Sequence, residues 1–235
     1  EKLHHLLQSL REGSDGRRRA LAILTKNSNR NGLKGVLDLL QEAGLADFFD
    51  ALWIMPARRG QPCGVYQDMG EWKYFQAPVP GVAPHKADIL QHIAAHPLEW
   101  FPQMQKSNSS RDLHHLLSDL RLEGIVLVDD QRANFQSGTG AQVLRYCKVA
   151  RYDATYRNLG LLTDMGGIGA HSDADYETLR RFVEDPWMCK ETLQIRCSER
   201  CFEGGGGRRP VKLVVFDFDE TLTLATFMPQ DGACA

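Results

Sequence analysis

Two pairs of acidic residues and one hydroxyl follow apolar runs that predict buried strands. Asp217 and Asp219 come directly after the run 211–216, Asp129 and Asp130 follow the run 124–128, and Thr25 follows the run 20–24. In an open sheet of parallel strands, ligands bind outside the carboxyl ends of the strands. We therefore expect these side chains to converge on one rim of the sheet.

Carboxylates at this density suggest a specific chemistry. They repel one another unless a cation compensates them, and hard oxygen ligands favour Mg²⁺ over zinc. Beside Mg²⁺ and a bound phosphate, a carboxylate such as Asp217 can attack phosphorus and form an aspartyl-phosphate. Asp219 lies two residues further on and therefore on the same side of an extended chain, where it can transfer protons to the leaving group and from water.

The elements that must position these residues alternate along the chain. Apolar strands buried on both faces and separated by amphipathic helices indicate an α/β fold, a doubly wound parallel sheet of Rossmann-like type. The pattern predicts helices at 3–11, 32–43, 86–95, 112–122 and 173–183, and strands at 20–24, 51–55, 124–128, 143–149 and 211–216.

Residues 1–235 are predicted to form one domain, because 43% hydrophobic and 25% charged residues can bury a substantial core. Residues 56–84 are rich in proline and glycine and predict a small insertion or flap that contains a hairpin. Residues 185–210 are predicted to be an irregular connector with four consecutive glycines. Residues 211–235 then supply the strand that carries the pair Asp217 and Asp219.

The run Asp217-Phe218-Asp219-Glu220-Thr221 after an apolar strand resembles motif I of the haloacid dehalogenase-like (HAD) phosphatase superfamily, Asp-x-Asp-x-Thr. The resemblance implies that Asp217 is the nucleophile and Asp219 the general acid/base, with Mg²⁺ as cofactor. The stretch "LAILTKNS" is similar to motif II, which makes Thr25 the donor to the phosphoryl oxygens. The stretch "GIVLVDDQRAN" is similar to motif IV, so that Asp130 ligates Mg²⁺ and Asp129 is a neighbouring acid.

Motif III and the outer-shell acid of the family pattern match this sequence less clearly. Motif III supplies a lysine, for which Lys86 in "APHKADIL" fits best, with Lys26 and Lys106 as rivals. Asn134 takes a position where an outer-shell acid often stands. The predicted metal ligands are Asp217, Asp219, Asp130 and Asp129, and the predicted substrate-binding residues are Thr25, Lys26, Asn27 and Lys86.

The order of the motifs differs from the usual family order, because motif I comes after motifs II, III and IV. This order predicts a circularly permuted core, with the segment 56–84 in place of a full cap domain. An uncapped site favours a bulky substrate such as a phosphoprotein, although a phosphorylated small molecule stays open. The expected function is a Mg²⁺-dependent phosphomonoester hydrolase. The alternatives are a binding or scaffold protein on the same fold and a phosphotransferase.

Composition excludes several other classes. A formal charge of −2 lacks the basic surface expected of a nucleic-acid partner, and no apolar run is long enough to predict a membrane span. The six cysteines lack the paired spacing of a zinc site. They are expected to be reduced thiols, which predicts a cytoplasmic location.

Overall fold

The computed structural model describes most of the predicted helices and strands. The described residues are 2–26, 32–55, 64–66, 72–74, 84–101, 109–139, 145–149, 173–185, 195–197, 210–218 and 221–222.

Within the described residues, eight strands form one mixed sheet in the order β4-β3-β2-β1-β8-β5-β6-β7. The five strands from β2 to β6 in this order are all parallel, as predicted for an α/β fold. The runs of β1, β5 and β8 are mainly apolar and buried, because helices cover both faces of the sheet. The strands are β1 (Ala20–Lys26), β2 (Ala51–Met55), β3 (Gly64–Tyr66), β4 (Trp72–Tyr74), β5 (Ile125–Asp129), β6 (Arg145–Val149), β7 (Ile195–Cys197) and β8 (Leu213–Phe216).

Strand β8 lies at the centre of the sheet and pairs with both β1 and β5. Val215 pairs with Ala22 of β1 on one side and with Leu127 of β5 on the other. Counted from β8 as the first strand, the parallel strands have the order 3-2-1-4-5. This is the order of the first five strands of doubly wound dinucleotide-binding folds, whose ligands bind where the order reverses. In this chain the reversal falls between β8 and β5.

The helices divide between the two faces of the sheet. One core contains Leu7 of α1, Val36 of α2 and Leu179 of α6, and the other contains Ile89 of α3 and Leu117 of α5. The helices are α1 (Lys2–Glu12), α2 (Gly32–Glu42), α3 (Lys86–Ala95), α4 (Pro97–Trp100), α5 (Ser109–Leu117) and α6 (Asp173–Glu184).

Helix α5 begins and ends earlier than the predicted span 112–122. It stops at Leu117, where the Ser118 hydroxyl donates to the carbonyl of His115 and the chain turns. Residues Leu122–Gly124 form a separate short 3-10 helix before β5. Serine side chains compete for backbone hydrogen bonds in this way, which the leucine periodicity did not reveal.

The two edges of the sheet are antiparallel. The hairpin predicted within 56–84 forms as β3 and β4, and β3 pairs with β2, so the described part of this segment extends the sheet. The stretch 185–210, predicted to be irregular, contains the short strand β7, which pairs with β6. Strand β7 has three residues, too few to give a clear alternation in the sequence.

None of the described helices combines the length and hydrophobicity that a membrane span requires. A cytoplasmic location stays a prediction of the sequence.

Candidate active site

Three strand ends meet at one rim of the sheet. The Asp217 amide, directly after β8, donates to the carbonyl of Val128 at 2.9 Å, which extends the pairing of β8 with β5. Asp129 is the last residue of β5, and Thr25 and Lys26 are the last residues of β1. The structure thus places the predicted residues of three separate motifs at neighbouring strand ends.

The acids near position 130 and near position 217 lie side by side, which confirms their predicted convergence. One ligand atom each from Asp129, Asp130 and Asp217 lies within 4.8 Å of the other two. All three side chains are buried. Three carboxylates held together away from water require compensating positive charge.

Side-chain alternation explains which residues face Lys86. Asp217 continues the alternate positions Leu213 and Val215 of β8, whose side chains belong to the core beneath α3. Successive residues of a strand point to opposite faces, so alternate residues share a face. Asp129 on β5 and Lys26 on β1 are likewise the next alternate positions after residues of this core. Helix α3 covers this face and begins at Lys86.

Lys86 is fully buried between two of the carboxylates. Its Nζ lies 2.8 Å from Oδ2 of Asp129 and 2.6 Å from Oδ1 of Asp217. Burial by itself lowers the pKa of Lys86, but the charges and hydrogen bonds of the two carboxylates outweigh it and raise this pKa. The two carboxylates therefore favour the charged form of Lys86 at this site.

Asp88 fixes the start of α3 and thereby the position of Lys86. One carboxylate oxygen accepts the His85 amide at 2.8 Å, and both oxygens lie 3.0 Å from the amide of Gly138. This buried carboxylate joins the first turn of α3 to the loop that follows β5. Asp88 is not among the predicted site residues, although an acid at the third position of a helix is a capping signal.

Asp129 is saturated by donors from the protein. Its Oδ1 accepts the Gln131 amide at 2.7 Å, and the side-chain amide of Asn134 lies 3.0 and 2.9 Å from its two oxygens. Lys86 occupies Oδ2 as well. A carboxylate with this many donors is suited to orienting Lys86, and less suited to ligating a metal ion.

Lys26 is the second cation near the acids. Its Nζ donates to Oδ1 of Asn134 at 2.6 Å. Burial and the charge of Lys86 lower the pKa of Lys26, whereas Asp129, Asp217 and Asp130 oppose this shift. Lys26 is thus part of the same electrostatic group as the carboxylates.

The charges of the described cluster do not balance. Its three carboxylates outnumber the ammonium groups of Lys26 and Lys86 by one. Burial raises the pKa of Asp217 to about 7, since it outweighs the attraction of Lys86, and the charge of Asp129 adds to the shift. The donor set consists of buried carboxylates with incomplete compensation, which fits a hard divalent cation.

Two threonine hydroxyls near these strand ends have no hydrogen-bond partner among the described residues. Thr25 is 1% exposed and Thr221 is 0% exposed, and Oγ1 of each is buried. Buried polar atoms are nearly always satisfied in proteins, so such hydroxyls at a rim of this kind are available to a ligand. Two predicted site residues, Asp219 and Asn27, and the rival lysine Lys106 lie outside the described residues.

Comparison with known proteins finds no significant match: no protein-family model, no curated protein and no solved structure is similar to this chain. The geometry of the site is therefore the basis for assigning a function.

Proposed function

We propose that this chain is a Mg²⁺-dependent phosphomonoester hydrolase of HAD type, in circularly permuted order, which acts through an aspartyl-phosphate. The observation that carries the proposal is the ion pair of Lys86 with Asp217, 2.6 Å long, beside the further buried carboxylates Asp129 and Asp130. The central position of β8 supports the permuted order, because it brings the strand before Asp217 between those of the other two motifs.

Asp217 is oriented for nucleophilic attack. Lys86 Nζ and the Phe218 amide, at 2.8 Å, both donate to its Oδ1. These are the side-chain contacts of Asp217 among the described residues, and they leave Oδ2 to attack phosphorus. Lys86 stabilises the ionised carboxylate that the attack requires.

The roles in the remaining steps are assigned from the resemblance of the motifs to the family pattern. Asp219, two residues after the nucleophile, protonates the leaving oxygen and then, as a base, activates the water that hydrolyses the aspartyl-phosphate. Thr25 donates its buried hydroxyl to a phosphoryl oxygen, which would give this atom the partner that it lacks in the described structure.

Asp130 and Asp217 are the described residues that would hold Mg²⁺. Both are buried, and Asp129 is already saturated by Lys86, Gln131 and Asn134. When bound, Mg²⁺ would neutralise the charge that develops on the phosphoryl oxygens.

A bulky phosphorylated substrate, such as a phosphoprotein, fits this architecture. The described part of the segment 56–84 consists of the hairpin of β3 and β4. Strand β3 pairs with β2, so the hairpin extends the edge of the sheet. A hairpin that extends the edge of the sheet does not itself cover the rim, which favours a phosphate group attached to a large molecule.

The test is hydrolysis of an aryl phosphate with and without Mg²⁺. Asp217→Asn keeps the shape of the side chain and removes the nucleophile, so we expect a rate at least about 1,000-fold lower. Asp38→Asn is the matched control, because Asp38 is exposed and pairs with the exposed Lys34. An aspartyl-phosphate is an acyl phosphate, which survives an acid quench, so the intermediate is trapped with acid and identified by its lability to base and to hydroxylamine. Undiminished hydrolysis by Asp217→Asn would reject the proposal.

A further inference from the structure

The two lysines of the site have different kinds of partners. Lys86 lies between two carboxylates, at 2.8 and 2.6 Å. Lys26 donates to the neutral amide oxygen of Asn134 at 2.6 Å, and none of the ion pairs among the described residues includes it. The charge of Lys86 is therefore already compensated, whereas the charge of Lys26 is not compensated by a direct ion pair in the described structure.

The orientation of Asn134 is fixed by its second contact. Its amide nitrogen lies 3.0 and 2.9 Å from the two oxygens of Asp129, so its amide oxygen must face Lys26. Asn134 is 1% exposed, and a flipped amide would place nitrogen against the ammonium group of Lys26. The amide group thus holds Lys26 in place and separates it from the carboxylate of Asp129.

An ammonium group in this setting favours an anionic ligand. It has three N–H donors, of which one is used by Asn134 in the described structure. Partly buried charge without an opposite charge in contact is costly, and an incoming anion removes that cost. Lys26 also lies on the same face of the sheet as Asp217, the proposed nucleophile.

We infer that Lys26 binds the phosphoryl oxygens of the substrate and selects phosphomonoester dianions over singly charged phosphodiesters, while Lys86 serves the nucleophile. This inference rests on the proposed function. With all groups ionised, as a bound metal favours, the described acids and lysines together carry a charge of −1, and one divalent cation changes this to +1. Loss of Lys26 would remove the net positive charge of the loaded site, which a dianion needs more than a monoanion does.

The experiment separates binding from turnover. Inorganic phosphate is titrated by calorimetry into the Mg²⁺-loaded protein, and KM and kcat are measured for an aryl phosphate monoester and for the corresponding diester. The variants are Lys26→Met, which removes the charge at similar volume, and Lys26→Arg, which keeps it. Lys34→Met is the control, since Lys34 is exposed on α2 and pairs with Asp38.

We expect Lys26→Met to weaken phosphate binding and raise KM for the monoester by about 10- to 100-fold, the effect of one lost charge-assisted hydrogen bond. The preference for monoester over diester falls by a similar factor. Lys26→Arg retains most of the binding, and Lys34→Met changes neither quantity. The melting temperature of Lys26→Met should fall, because the buried amide oxygen of Asn134 loses its donor and the carboxylates lose a nearby cation, so binding is measured well below the melting temperature.

The outcomes distinguish the inference from the function. If the wild type hydrolyses the monoester and Lys26→Met binds phosphate and discriminates as before, the inference is wrong and the function stands. If the wild type binds phosphate through Lys26 but hydrolyses no monoester, the anion site stands and the proposed hydrolase is wrong. If the wild type neither binds phosphate nor hydrolyses a monoester, both are wrong.

Discussion

Lys86 donates to Oδ1 of Asp217 at 2.6 Å, although the two residues belong to distant segments of the chain. Lys86 begins a helix on one face of the sheet, and Asp217 follows the central strand. Lysine is disfavoured by the dipole in the first turn of a helix, so the contact depends on the two carboxylates that compensate it. The position of Lys86 is therefore explained by the carboxylates of the site, because the dipole of helix α3 by itself disfavours a lysine there.

Lys86→Met should destabilise the metal-free protein at neutral pH. The change leaves the buried carboxylates of Asp129 and Asp217 without their shared cation, and breaking a buried pair in this way costs about 3–5 kcal/mol. Urea unfolding measures the effect, and Lys34→Met should lie within about 0.5 kcal/mol of the wild type. Equal urea midpoints for Lys86→Met and the wild type would show that the ion pair does not form.

The stability of the metal-free protein should fall as the pH rises from about 4 to about 7 through the titration of Asp217. Burial raises its pKa from 3.8 to about 7, so the folded state binds a proton that the unfolded state has lost in this range. The contribution is fully present below the lower value and lost above the higher one. It amounts to about 4 kcal/mol over the whole range.

Asp217→Asn isolates this contribution, because the amide does not titrate. We expect urea unfolding in the presence of a chelator to show a smaller decline of stability with pH in the variant than in the wild type. Parallel curves for the two proteins would assign the decline to other groups. Saturating Mg²⁺ should also reduce the decline in the wild type, since metal binding favours the ionised carboxylate.

Asp130→Asn should weaken Mg²⁺ binding by at least about 100-fold, because it removes a charged oxygen ligand from a buried site. The measurement is the rise of the melting temperature with Mg²⁺ concentration, which reports binding to the folded state. Asp38→Asn, at an exposed position, should respond to Mg²⁺ as the wild type does. An unchanged response in Asp130→Asn would exclude Asp130 as a ligand.

Asp88→Ala should destabilise the protein by about 1–2 kcal/mol, because the amides of His85 and Gly138 lose their acceptor. Asp88 acts through the position of Lys86, so we also expect kcat to fall more than KM rises. Asp88→Asn keeps an acceptor oxygen and should recover part of both losses. A stability loss with unchanged kcat would make Asp88 a structural residue alone.

The sequence predicted the ends of β1, β5 and β8 because each of these strands begins as a continuous apolar run that stops at a polar residue. For the same reason it predicted that Asp130 and Asp217 converge, since parallel strands end at a common rim. The contact of Lys86 with Asp217 required more than local physics, because it opposes the helix dipole. The prediction that Lys86 belongs to the site rested on a resemblance to a family motif, with Lys26 and Lys106 as rivals.

Other features depend on tertiary contacts that no short pattern encodes. The tripartite contact of Lys26, Asn134 and Asp129 joins residues from two strand ends and a 3-10 helix. Arg19 is 1% exposed and pairs with Asp15 at 2.7 Å, although a run of three arginines predicts a solvated turn. Charged side chains become buried when a specific partner is present, and the partner is defined by the fold.

The central place of β8 has a consequence for how the protein is made. On a ribosome, β1 and β5 emerge well before the strand that must separate them. Until β8 arrives, each presents an open row of amide and carbonyl groups that can pair with the wrong neighbour, including another nascent chain. Completion of the sheet and of the surroundings of Asp217 therefore waits for β8, so translation products truncated before β8 should be insoluble.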